Sequence, residues 1–285
     1  MTGMIPYNAI GYQYRILLAS NEIAPVFPYI RDTNGNKTIY SISTEHGRSF
    51  LICKRNDDRW VVSKGNGLSY TPYIFLNTGE MGDDTLGLLL RKDAERDFLL
   101  GQEIASLGIK TNHMEYVLEI DNAISLPNSH KIKPILLQYN VECPYRISDA
   151  FIMQHNCIIN EVKKWEKYND KGFDKNYLIA ANVLIRNLSI MHNNNILHNA
   201  IHAQNYTWAL ELLDFELACS PRHPYESEDY QRHVPSLFSR EIIQTYQIIC
   251  MIAQVLKEKI NHYAIEDIFE QYGFNIRKFN VAQLR

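Results

Sequence analysis

The stretch ILHNAIHAQNYTWALELLDFELA runs from Ile196 to Ala218 and holds the residues on which the reading of the fold turns. His198 comes first, Asn205 stands seven positions later, and Asp214-Phe215-Glu216 follows. Asn205 and Asp214 flank YTWALELL, a hairpin-like insert whose leucines lead into Asp214. An amide oxygen and a carboxylate are hard ligands for Mg2+ or Mn2+, and a metal held by such a pair bridges phosphate oxygens. Either residue alone is ordinary in a turn. Both in register with His198 point to metal-dependent phosphate chemistry.

The spacing resembles that of protein kinases and their relatives, in which a His-x-Asp-x-x-x-x-Asn loop precedes an Asp-Phe-Gly turn. Here Ala200 occupies the position two after the histidine, where the aspartate base would stand. His198, His202 and Glu216 are the residues that could take a proton in its place, and they are the candidate catalytic residues.

Outward from this loop the chain divides by pattern. Before residue 145, KTIYSIS, RSFLICKR, RWVVSKG, YVLEID and IKPILLQYNVE read as strands, with DTNGNK and RNDD as turns. One helix is expected over 92–107, where Leu100, Ile104 and Leu107 form a stripe and Gly108 is a stop. After 146, AFIMQHNCIINEVKKWEKY, NYLIAANVLIRNLSIMHNN, REIIQTYQIICMIAQVLKEKI and YAIEDIFEQYGFNIRKF have helical period, with Asp174 a plausible cap. The expected fold is α+β and kinase-like: a β-rich N-terminal lobe, 1–145, and a helical C-terminal lobe, 146–285, bearing loop 196–218.

Bulk properties narrow the function classes. The 285 residues are 46% apolar and 21% charged, with a net charge of −3, so no basic field argues for nucleic acid or an anionic membrane. No apolar run approaches the ~18 residues that span a bilayer. The opening MTGMIPYNAIGYQYR lacks a basic-then-apolar leader pattern, and the five cysteines show no C-x-x-C pair. A reduced, cytoplasmic protein is expected.

Lys64, in VVSKGNG at a strand end, can reach phosphates as a point charge if a helix carboxylate orients it, and Glu103 is the expected partner. VSKGNGLSYTPY followed by LRKDAERDFLLGQEIASLGIKT is similar to the Lys-Gly-x-Gly…Thr-Pro-Tyr and Arg-Glu-Phe-Leu…Leu-Gly-Ile-x-Thr segments of the selenoprotein O (SelO/YdiU) family. Gly47-Arg48, Arg146 in YRISDAF, HNAIHAQN and SEDYQRH resemble further segments of that family, in order, over roughly residues 10–255. The resemblance implies a kinase-like fold, with ATP reversed in its pocket and AMP transferred to a hydroxyl on a protein or small molecule. It also implies phosphate contacts from Arg48, Lys64 and Arg146, and a metal on Asn205 and Asp214. The family too lacks an aspartate at the place of Ala200. It carries an acidic residue just before its metal asparagine, where this chain has Gln204, an amide that cannot accept a proton at neutral pH. A nucleotide-binding module without turnover and a small-molecule kinase are the alternative expectations.

Overall fold

The computed structural model of the chain describes residues 13–20, 24–26, 30–31, 37–38, 49–65, 89–121, 124–125, 131–225 and 228–279. They group into two compact units: a sheet unit, 1–102 with 112–144, and a helical unit, 103–111 with 145–285.

The sheet unit is built on β1 (Tyr14–Ala19), β2 (Ile30–Arg31), β3 (Lys37–Thr38), β4 (Ser49–Lys54), β5 (Trp60–Lys64), β6 (His113–Ile120), β7 (Ile124–Ser125), β8 (Lys131–Ile132) and β9 (Ile135–Val141). Five of these strands form one antiparallel sheet in the order β1-β6-β9-β5-β4. All seven residues of β9 are buried, as a central strand covered on both faces requires. β2 and β3 pair across the segment expected to turn, with Ile30 opposite Thr38, although residues 32–36 and 39–43 lie outside the described residues. β1, which no turn signal marks, closes the edge beside β6.

Between β5 and β6 runs α1 (Arg91–Ser106), one residue earlier than expected, and Gly108 at φ 78° ends it. Its buried face carries Ala94, Asp97, Phe98, Leu100 and Ile104. A lysine-tipped strand, a helix, two further strands of the same sheet and then a helical unit is a kinase-like order of elements. The chain has that α+β architecture.

Gly65, directly after Lys64, takes φ +94°, and a Cβ there would lie closer than 3.0 Å to the Ile135 carbonyl oxygen and Leu89 Cγ. The residue is glycine because the strand must end in a left-handed turn against another backbone. Gly65→Ala is expected to cost about 2–4 kcal/mol, from the left-handed penalty plus displaced packing, read as a lower urea midpoint. A midpoint equal to the parent's would refute this account of the turn.

In the helical unit the chain makes α2 (His155–Lys163), α3 (Asn176–Asn193), α4 (Glu228–Val255) and α5 (His262–Gln271). The first expected helix is broken: a 3-10 turn (Ile147–Phe151) precedes α2 and another (Lys164–Tyr168) follows it. The earlier turn is closed by Asp149, whose Oδ2 accepts from the Arg146 N–H at 2.7 Å. The later one buries Trp165, stacked on Trp208 at 5.9 Å between ring centroids. α3 is the core of the unit, with Ala180, Ala181, Leu184, Ile185 and Leu188 at 2% exposure or less. Its N-terminus is not capped by Asp174. The N-cap is Lys175, with no side-chain bond, and Glu258 beyond α4 accepts from the N–H groups of Asn176 (3.2 Å) and Tyr177 (3.1 Å). A carboxylate is favourable there because the first-turn N–H groups are unpaired and carry positive partial charge. Among the described residues no helix is long and apolar enough to cross a membrane.

Candidate active site of the helical unit

The loop after α3 is fastened by backbone first. Leu197 and Cys219 exchange both hydrogen bonds, at 3.0 and 2.8 Å, which brings the two ends of the 196–218 stretch together. Between them the YTWALELL insert is a hairpin: Thr207 N–H donates to Glu211 O at 3.0 Å, Tyr206 pairs with Leu212, and Leu210 makes the turn at φ 61°. The Leu213 N–H then donates to the Asn205 carbonyl at 2.9 Å, so Asn205 and Asp214 become neighbours across the hairpin base.

His198 is fully buried and lies edge-on to Phe215 at 5.3 Å. Its Nε2 is 2.8 Å from the Leu213 carbonyl, which can only accept, so Nε2 carries the proton. Its Nδ1 accepts from the Ala200 N–H at 3.3 Å. Both ring nitrogens are thus engaged, and His198, expected among the catalytic residues, is a strut that ties the loop to the strand before Asp214. Ala200 completes the frame from its other side, because its carbonyl accepts from Asn205 Nδ2 at 3.0 Å. The backbone at position 200 therefore positions both His198 and Asn205 without any side-chain contribution.

That bond commits the Asn205 amide nitrogen and assigns Oδ1 as the atom available to a cation. Asn205 is 2% exposed. Asp214 and Glu216 are half-buried, and their carboxylate oxygens lie within 4.8 Å of each other. Asp214 sits at φ 69°, a left-handed conformation that aspartate and asparagine tolerate better than most residues. Two carboxylates this close repel unless a cation or proton lies between them. The donor set, one amide oxygen and two carboxylates, fits a hard divalent ion such as Mg2+. Glu216, expected only as a proton acceptor, offers a further carboxylate oxygen beside Asp214.

Arg146 reaches the same loop from the segment before the first 3-10 turn: its Nη1 donates to the Gln204 carbonyl at 2.8 Å. His202, an exposed residue, has Nε2 3.5 Å from Asn205 Nδ2. Partial burial lowers its pKa below the ordinary histidine value, with His198 and Arg146 adding to the shift and Asp214 opposing it. His202 is therefore neutral at pH 7 and able to accept a proton. Arg146, His202, Asn205, Asp214 and Glu216 thus share one locality.

The remaining candidates are Lys64, Glu103 and Arg48. Lys64 is 3% exposed at the end of β5, and its Nζ is paired with Asp97 Oδ2 of α1 at 2.9 Å. The helix carboxylate at the lysine is Asp97, not the Glu103 anticipated for it. Glu103 Oε2 instead accepts from Ser220 Oγ at 2.7 Å, fastening the end of α1 to the chain just past the loop. Asp97 stands seven residues, two helical turns, before Ile104, on the buried stripe, whereas Glu103 is rotated about 100° from Ile104. Arg48 lies outside the described residues.

Glu241 went unnoticed in the sequence because α4 reads there as an apolar stripe. It is fully buried, with Oε2 2.9 Å from His192 Nε2 and Oε1 accepting from the Asn199 N–H at 2.5 Å. Asn199 is held at φ 67°, and its carbonyl accepts from Arg240 at 3.0 Å. One carboxylate thus secures both the end of α3 and the residue next to His198. The sign available in the sequence was a charge, Glu241, set against Ile242 in the packed face of a helix.

No protein-family model and no curated protein sequence matches the chain. Among solved structures it is similar to a Stt7 homolog from Micromonas algae soaked with ATP, at 10% identity and a TM-score of 0.40, over 93% of this chain and 86% of that one. It is also similar to a Toxoplasma gondii specific rhoptry antigen kinase domain, at 8% identity and a TM-score of 0.35, over 82% of each chain.

Proposed function

We propose that the protein is an ATP- and Mg2+-dependent transferase of selenoprotein O type, which moves AMP to a hydroxyl of a protein or small-molecule acceptor. The observation that carries the metal-nucleotide part is the fixed Asn205–Asp214–Glu216 oxygen set, held by His198 and the backbone of Ala200. The AMP part rests on the ordered resemblance of the chain's segments to that family.

In this reading Asn205, Asp214 and Glu216 hold the metal, which when bound neutralises developing charge on the phosphates. Arg146 supplies a fixed cation to phosphate oxygens. Within the sheet unit the Asp97 carboxylate holds the Lys64 ammonium in place. Lys64 and Arg48 have the same role as Arg146 by resemblance alone. His202, neutral at pH 7, accepts the acceptor hydroxyl's proton at Nε2 or Nδ1. The oxygen then bonds to the α-phosphorus as the bond to the pyrophosphate oxygen breaks, and pyrophosphate leaves with its charge.

A second reading, nucleotide binding without turnover, is favoured by Ala200 and Gln204, neither of which can serve as a base. One experiment separates the two. The purified chain with Mg2+ is given ATP labelled at the α- or the γ-phosphate, and the label on protein or small acceptors is followed. Label from α alone is expected, falling about 10²–10⁴-fold in His202→Gln. Label from γ alone would make the protein a kinase, and nucleotide binding with no transferred label would establish the second reading.

A further inference from the structure

Away from the loop, the helical unit has a pocket of about 260 Å3 whose lining includes Lys110, Lys167, Tyr168, Asp170, Arg186 and the amides of Asn182 and Asn187. None of these residues belongs to the candidate active site. Three cations face one carboxylate, so the lining carries a formal charge of +2. Lys110 and Lys167 lie against the Tyr168 ring, at 4.9 and 5.0 Å from its centroid, and Lys110 also bonds the tyrosine hydroxyl. These contacts restrain two flexible side chains of the lining.

The buried amides of the pocket differ from each other. Asn182 is satisfied: its Nδ2 donates to Asp170 at 3.3 Å, and its Oδ1 accepts from the Tyr272 hydroxyl at 2.9 Å. Asn187, five residues further along α3 and 3% exposed, has a buried Nδ2 with no hydrogen-bond partner among the described residues. A buried N–H group left unpaired destabilises a fold by about 1–3 kcal/mol, so its presence in a packed helix calls for an acceptor. The pocket it lines is where that acceptor can come from.

We propose that this pocket binds the phosphate group of a phosphorylated small molecule. The missing partner is an acceptor, the surrounding charge is positive, and a phosphate dianion presents three acceptor oxygens with a charge of about −2 at neutral pH. The volume exceeds that of a bare phosphate and lies just under the range of small-molecule sites, which leaves room for a compact ester. Arg186 supplies a planar fork of donors, Lys110 and Lys167 supply point charges, and Asn187 supplies the buried donor.

The test is calorimetric titration of the full chain, in chloride buffer at constant ionic strength, with inorganic phosphate and with O-phosphoserine as probes. Saturable binding of both is expected, with the ester at least as tight. Arg186 and Lys167 are exposed, so Arg186→Gln and Lys167→Gln leave the fold intact, and each is expected to weaken binding at least tenfold. Asn187→Leu removes the unpaired amide. It is expected to keep or raise the thermal midpoint while weakening phosphate several-fold, a split that a purely structural asparagine does not produce. Arg146→Gln, in the candidate active site, is expected to leave phosphate affinity within twofold. The proposal is overturned by an absence of saturable binding, by unchanged affinity in Arg186→Gln, by exclusion of the ester, or by loss with Arg146→Gln in place of Arg186→Gln.

Discussion

Asp214→Asn is expected to lower label transfer from ATP by about 10³-fold or more, with the fold unchanged. Losing one anionic ligand to the metal removes several kcal/mol of charge stabilisation, and each ~1.4 kcal/mol is tenfold in rate. Asparagine is the informative replacement because residue 214 sits at φ 69°. Alanine there would add backbone strain, whereas asparagine accepts the left-handed region and retains the volume. Circular dichroism and the thermal midpoint should match the parent, so a loss of transfer reports the ligand alone. Transfer within tenfold of the parent would remove Asp214 from the metal site and with it the central assignment.

The second large effect is expected at Glu241. Glu241→Ala should cost about 3–5 kcal/mol and reduce transfer along with stability, because a buried charge partner is removed from two donors at once. The Asn199 N–H would be left unpaired beside His198, and the end of α3 would lose its anchor at His192. Urea unfolding followed by tryptophan fluorescence, to which the stacked Trp165 and Trp208 contribute, would show the loss. Glu241→Gln should cost less, since the amide oxygen can still accept from Asn199. A Glu241→Ala variant within about 1 kcal/mol of the parent would mean that the loop is held by other contacts.

The grouping of residues in loop 196–218 was legible because they are close in sequence. A hairpin between Asn205 and Asp214 brings the two together whatever the rest of the chain does. The α1 stripe was legible for a similar reason: helical period is a local property. Asp97 was legible in principle, since two turns place it on the face of Ile104, whereas Glu103 lies only beside that stripe. His198 shows the opposite limit. Its residue type suits proton transfer, and only its two hydrogen bonds, to Leu213 and Ala200, show it holding the loop instead.

Pattern and spacing alone were enough for a β-rich segment, a helical segment and a hairpin that draws Asn205 and Asp214 together, because each depends on residues within about twenty positions of one another. What required the folded chain was the set of partners for buried polar groups. Glu258 meets the first turn of α3 from 81 and 82 positions away. Glu241 reaches Asn199 from 42, and Lys64 finds Asp97 across 33. The physical reason is common to all three: a charge or unpaired N–H withdrawn from water must be matched within about 3 Å. Residue type announces that need, but only packing decides which distant side chain meets it.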